Sequence, residues 1–113
     1  MHVTKFSEAS TYDAKGHFNM AAFQLQGGAA NETGQLSCGF SQFLPGGGAE
    51  RSVSPAEKVY VVVSGEITVI TDDGEATLGP MDSCYLAPNE AREIINRSNE
   101  VAHMIVALCA PAG

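Results

Sequence analysis

Residues 58–71 constrain the fold of this chain more than any other stretch. They read KVYVVV and then EITVIT, parted by Ser64-Gly65. Branching at Cβ restricts a side chain in a helix and suits a pleated surface, so both runs read as strands. No stretch of comparable strength carries a helical period. Twelve glycines fall largely between short runs of this kind, the punctuation of many strands joined by turns. The pattern predicts strands over residues 20–26, 35–44, 58–63, 66–71, 75–78, 83–86, 93–96 and 101–108. Residues 27–34 and the Pro-Gly-Gly-Gly run at 45–48 read as turns. Asp73-Gly74 reads as a type I′ hairpin turn, and residues 12–20 as a polar, irregular stretch. With no βαβ alternation, the expectation is an all-β sandwich or barrel.

A chain of 113 residues has the length of one domain. Residues 1–20 read as an N-terminal arm or edge strand. The net charge of −7 argues against nucleic acid and anionic membrane surfaces, both of which call for basic patches. No apolar run reaches the length of a membrane span, and the first residues lack the pattern of a signal peptide. Cys38, Cys84 and Cys109 form no close pair, which suits buried thiols in a reducing cytoplasm.

Two segments hold a fixed spacing. Residues 46–65 run Gly46-x5-Ser52-x-Ser54-x3-Lys58-x6-Gly65, and residues 81–96 run Met81-x5-Ala87-x-Asn89-x2-Arg92-x3-Asn96. These spacings resemble the two motifs of the cupins, Gly-x5-His-x-His-x3-Glu-x6-Gly and Gly-x5-Pro-x-Gly-x2-His-x3-Asn. The resemblance implies a cupin barrel, a double-stranded β-helix of jelly-roll type, commonly a homodimer. It also implies a metal held by three histidines and a glutamate. Here those positions carry Ser52, Ser54, Arg92 and Lys58. Hydroxyls are poor ligands for such metals and the two cations repel them. The expectation is a chain with no metal or other cofactor at this site. Met81, Ala87 and Asn89 also depart from the second motif. Asn89 tolerates a positive φ, whereas Met81 suggests that its own turn is not left-handed.

By the same resemblance, Ser52, Ser54, Lys58 and Arg92 point into one cavity. Alternation along residues 58–63 then sends Lys58, Tyr60 and Val62 inward and Val59, Val61 and Val63 outward. An outward apolar stripe needs cover, from a second copy or from the N-terminal segment. Two inward cations need an anionic partner: Glu50, Glu90 or a small anionic metabolite. The expected function is metal-independent binding of a carboxylate-bearing metabolite. Isomerisation, elimination or decarboxylation by proton transfer would follow, as in a cofactor-free isomerase or lyase. Lys58 is the candidate base or nucleophile, Tyr60 the acid, Arg92 the carboxylate anchor, and Ser52 and Ser54 hydrogen-bond donors. His17 lies in the irregular stretch and is either a surface residue or a substrate contact reaching over the barrel mouth. His103, alone on an apolar strand, reads as a core or rim residue, Cys84 as a small core residue, and Asp82 and Asn96 as structural supports. Two alternatives stay open: a non-enzymatic binding or sensor barrel, and a metalloenzyme with a displaced site.

Overall fold

The computed structural model describes residues 1–111. After a 3-10 turn at Phe6–Glu8 come nine strands: β1 (Ser10–Tyr12), β2 (His17–Gln26), β3 (Leu36–Ser52), β4 (Glu57–Ser64), β5 (Ile67–Thr71), β6 (Gly74–Leu78), β7 (Ser83–Leu86), β8 (Arg92–Ile95) and β9 (Ala102–Cys109). Among the described residues there is no α-helix. The strands run in the order β6-β5-β8-β3-β9-β4-β7, with β2 also on β3 and β1 on β2. The result is an all-β, nearly closed jelly-roll barrel.

β3 closes it. Its first part pairs with β9, from Leu36 opposite Cys109 to Phe43 opposite Ala102. Its last part pairs with β8, through Gly48 opposite Ile95 and Ser52 opposite Arg92. One strand thus serves both walls, and the bend between them falls at residues 44–47. Two sequence expectations fail here. The Pro-Gly-Gly-Gly run is strand, not a flexible turn. The glycines are there because other backbone passes close by: a Cβ on Gly47 would meet the carbonyl oxygen of Asn19, and one on Gly48 that of Ile94. The stretch 12–20 is not irregular throughout, because β2 already begins at His17 and pairs there with Ala49.

Two turns also differ from expectation. The β5–β6 hairpin turns through Asp72 and Asp73 with negative φ, and only Gly74 takes a positive value, 122°. A type I′ turn would need positive φ at both central residues. Met81 is left-handed after all, with φ 68°. Its N–H donates to the Val62 carbonyl at 2.6 Å while the Val62 N–H donates to Asp82 O at 3.0 Å. That pairing holds the turn against the preference of a side chain with a Cβ. Left-handed backbone costs such a residue about 1–2 kcal/mol, and glycine's extra freedom when unfolded returns part of that. Met81→Gly is therefore expected to stabilise the barrel by about 0.5–1 kcal/mol, read as a raised midpoint in urea unfolding.

The alternation of β4 holds. Tyr60 and Val62 are buried, whereas Val59 and Val63 are exposed. Val62 joins Phe43, Ile67, Ile94 and Met104 among the fully buried side chains, each worth about 1.5–3 kcal/mol of apolar burial. Asn96 is fully buried with them. Its Nδ2 donates to the carbonyls of Phe43 (3.1 Å) and Glu100 (2.8 Å), and its Oδ1 accepts from the Ser98 N–H (3.0 Å). Asp82 accepts from the Gly79 N–H at 2.8 Å. Both residues act as the structural supports expected of them. Outside the barrel, Phe6 folds back onto Phe23 and Phe40, with ring centroids 5.0 and 5.3 Å away. The N-terminal arm thus covers part of the outer apolar face.

Candidate functional site

One end of the barrel interior stays open as a cavity of ≈ 160 Å³. β4 brings Lys58 and Tyr60 to it, β8 brings Arg92 and Ile94, and β3 brings Ser41 and Phe43. Met104, Val106 and Leu108 of β9 form an apolar wall. Tyr12, Ala14 and His17 cross the mouth, held there by the Glu50 N–H donating to the Gly16 carbonyl at 2.9 Å. The lining therefore combines polar side chains, Arg92 and Tyr60 among them, with an apolar wall, an arrangement suited to a small ligand with one charged end.

Arg92 organises the polar end. It is only 5% exposed. Its Nε donates to the Tyr60 hydroxyl at 2.9 Å, and its Nη1 donates to the Glu50 carbonyl and to Ser52 Oγ, both at 3.0 Å. Every one of these acceptors is neutral. The ion pairs among the described residues are Arg51–Asp72 and Arg97–Glu75, and neither involves Arg92 or Lys58. Glu50 offers its backbone rather than its carboxylate, and Glu90 spends Oε1 on the Ala87 N–H at 2.9 Å. The expectation that one of these carboxylates neutralises the cations is not met. Burying a guanidinium without a counter-charge is costly. Arg92 bears that cost through three hydrogen bonds and a cavity that admits solvent or a ligand.

The other groups follow from Arg92. Tyr60 accepts from it, which leaves the phenol's own hydrogen free for a ligand. Burial pushes Tyr60 above its ordinary value, with Arg92 pulling the other way, so Tyr60 is a neutral donor near pH 7. Lys58 is half-buried and makes no hydrogen bond or ion pair among the described residues. Burial first, and Arg92 second, lower it from its ordinary value.

His17 is brought to the cavity rather than left on the surface. Its Nδ1 donates to the Lys15 carbonyl at 3.0 Å. A carbonyl only accepts, so Nδ1 carries the hydrogen and Nε2 is the free ring nitrogen. Burial lowers His17, the Lys15 hydrogen bond opposes that, and Arg92 and Lys58 lower it further. Between its lowered value and the ordinary 6.5, the unfolded chain binds more protons at this residue than the folded one. Stability from this group is present above 6.5 and lost as pH falls through that window. Unliganded protein is therefore expected to lose more stability than His17→Gln between neutral pH and about pH 5, measured by thermal melting.

The serines part company. Ser52 holds Arg92 through its Oγ without itself lining the cavity. Ser54 does not line the cavity: its Oγ accepts from the Ala56 N–H at 3.2 Å, a local bond open to any serine in a turn. Sequence reasoning missed Tyr12 and Ser41. Ser41 shares the inward parity of Phe43, which would have found it, but nothing in the spacing marks Tyr12. Cys84 packs against the core, and burial raises its thiol above the ordinary value, as suits a structural cysteine. His103 faces outward from β9, stacked on Phe40 (centroids 5.6 Å apart) and bonded through Nδ1 to Ser64 Oγ at 2.7 Å.

The four positions that would hold a metal in the two motifs present two hydroxyls and two cations. That set does not fit a transition metal. Among the described residues, no three His, Cys, Asp or Glu side chains converge elsewhere.

Residues 39–108 match the family described as the cupin domain. The chain belongs to the cupin family. It is 39% identical over 111 residues to the beta-D-galactosidase Rv1717 of Mycobacterium tuberculosis, covering 98% of this chain and 96% of that one. Its fold is similar to the polyketide cyclase RemF from Streptomyces resistomycificus, with a TM-score of 0.84 at 11% identity over 98% of this cupin and 80% of that chain. It is also similar to an RmlC-like cupin from Shewanella frigidimarina, with a TM-score of 0.80 at 17% identity over 98% and 92%. At such identities, the structural likenesses speak to the fold alone. No helix among the described residues is long and apolar enough to cross a membrane.

Proposed function

We propose that this cupin binds a small carboxylate-bearing metabolite in its barrel, without a bound transition metal, and moves a proton on it. The observation that carries this reading is the buried Arg92, hydrogen-bonded on three sides and paired with no protein carboxylate among the described residues. An incoming carboxylate supplies the missing charge, and a guanidinium holds it with directional, charge-assisted bonds. Lys58 adds a second positive charge and Tyr60 a hydroxyl donor. The apolar wall from β9 receives the rest of a short ligand. Isomerisation, elimination and decarboxylation of an oxo-acid all need this set: an anchor, a proton carrier and a cation beside the developing oxyanion.

The test is a panel of 2-oxo and 3-oxo acids, followed by melting temperature and by turnover. A rise in melting temperature with turnover supports the reading. A rise without turnover makes the barrel a binding or sensor module. No rise with any acid overturns the carboxylate reading.

The full-length relative called a beta-D-galactosidase favours a second reading, a β-D-galactoside as substrate. Most glycosidases place two carboxylates about the scissile bond, and no Asp or Glu lines the barrel cavity. Asp73, Glu75 and Glu90 line a separate open cleft with Tyr85. Hydrolysis of p-nitrophenyl β-D-galactopyranoside that survives Lys58→Met and Arg92→Met but is lost in Glu90→Gln would favour this reading over the first.

The outer face bearing Val59, Val63, Tyr85 and Leu36 is exposed beyond the reach of the Phe6 cluster. Homodimerisation through it is part of the same proposal. Sedimentation equilibrium is expected to give twice the chain mass, and Val59→Asp is expected to shift the protein to a monomer.

A further inference from the structure

The cavity contains two candidates for the group that moves the proton, Lys58 and His17, and they differ in one respect. Lys58 is held by no hydrogen bond among the described residues. His17 is held by one that fixes its chemistry, because the Lys15 carbonyl, 3.0 Å from Nδ1, accepts and cannot donate. Nδ1 must carry the hydrogen, and the lone pair of the neutral ring sits on Nε2. The ring is positioned by β2, which starts at His17 and is registered there against Ala49 of β3, and the ring lines the same cavity as Arg92 and Tyr60. We infer that His17 is the catalytic base of this cupin, acting through Nε2 on a C–H bond next to the carbonyl of a 2-oxo acid.

This rests on the carboxylate reading of the cavity given above. In the step, Nε2 forms a bond to the proton and the C–H bond breaks. Its electron pair becomes the new C=C bond, and the carbonyl π pair moves to oxygen. The enolate so formed lies beside the cationic Lys58 and Arg92. The imidazolium then returns its proton to carbon, so no oxidant or further reactant is consumed. Lowering of His17 by burial and by the two cations keeps the ring neutral and ready at neutral pH. Lys58, which no hydrogen bond orients among the described residues, then serves as the electrostatic partner rather than the base.

The experiment follows deuterium uptake by proton NMR, with pyruvate and 2-oxoglutarate as probes in deuterated water. Wild type is expected to exchange the C–H next to the keto group well above the protein-free rate. His17→Asn keeps a donor for the Lys15 carbonyl but has no base, and is expected to lose about 100-fold or more of that rate. It should keep the rise in melting temperature that each acid produces. His17→Ala is expected to recover exchange on addition of imidazole, which a purely structural role would not allow. Exchange by His17→Asn at the wild-type rate overturns the inference, as does a wild type that exchanges no faster than the protein-free sample. In that last case the melting curves tell the two failures apart. A ligand-induced rise leaves the carboxylate site standing and removes only His17, whereas no rise removes both.

Discussion

Arg92→Met is expected to weaken binding of a carboxylate ligand by about 100-fold or more while leaving the barrel folded. Truncating one partner of a buried, hydrogen-bonded charge pair costs about 2–5 kcal/mol, and most of that falls on the complex here. In the unliganded protein Arg92 has no carboxylate to lose. Its three acceptors are the Glu50 carbonyl, Ser52 Oγ and the Tyr60 hydroxyl. Ser52 and Glu50 are exposed and Tyr60 lines the cavity, so water can replace the guanidinium at about 1 kcal/mol of stability. Lys58→Met makes the contrast. Lys58 is half-exposed and unbonded, so its attraction for the ligand is screened, and a loss of about 3- to 10-fold is expected. Arg92→Lys keeps the charge but not the fork, and falls between wild type and Met. Isothermal titration with the best acid of the panel reads all three. Equal losses in Arg92→Met and Lys58→Met would mean that the cavity attracts anions by net charge alone and that Arg92 anchors nothing.

The same residues show what the sequence could tell. Period-two alternation is local and grouped Lys58, Tyr60 and Val62 on one face, but it was the cupin resemblance, through the motif position of Lys58, that turned this face inward. The motif spacing was legible too, and it brought Arg92 to Tyr60 across 32 residues. What failed was non-local or a matter of competition. Residues 45–48 look like a turn because glycine and proline usually make turns. Here Gly47 and Gly48 are glycine because Asn19 and Ile94 approach from other strands. His17 looked like a loop residue because nothing in residues 12–20 announces that β2 starts there. Ser54 kept its motif position but spent its hydroxyl on the Ala56 N–H two residues on, a local bond that outcompeted the cavity. Met81 was read from its side-chain preference, whereas the bonds joining residues 81–82 to Val62 set its backbone.

Gly48→Ala is expected to destabilise the barrel by at least about 3 kcal/mol, a large share of the roughly 5–15 kcal/mol available to a domain of this kind. An added Cβ would lie on the Ile94 carbonyl oxygen, 2.9 Å from its carbon and 3.1 Å from Ile95 Cα. All three are backbone atoms of β8, so no side chain can rotate away. Relief requires β8 to separate from β3, which breaks the register of Gly48 with Ile95 and Ala49 with Ile94 and unseats the buried Ile94 side chain. Gly46→Ala is the control. Gly46 has φ 81° but nothing within 4 Å of an added Cβ, so only the conformational cost of about 1–2 kcal/mol applies. Urea unfolding of the two variants separates close approach from backbone conformation. Equal losses would mean that β8 yields easily and that the contact at Gly48 is unimportant. A rigid β8 also bears on function. Arg92 begins that strand two residues before Ile94, so the contact that excludes a side chain at Gly48 also fixes the guanidinium against Tyr60. A Gly48→Ala protein that still folds at low temperature should therefore bind carboxylate more weakly than wild type, even though residue 48 does not line the cavity.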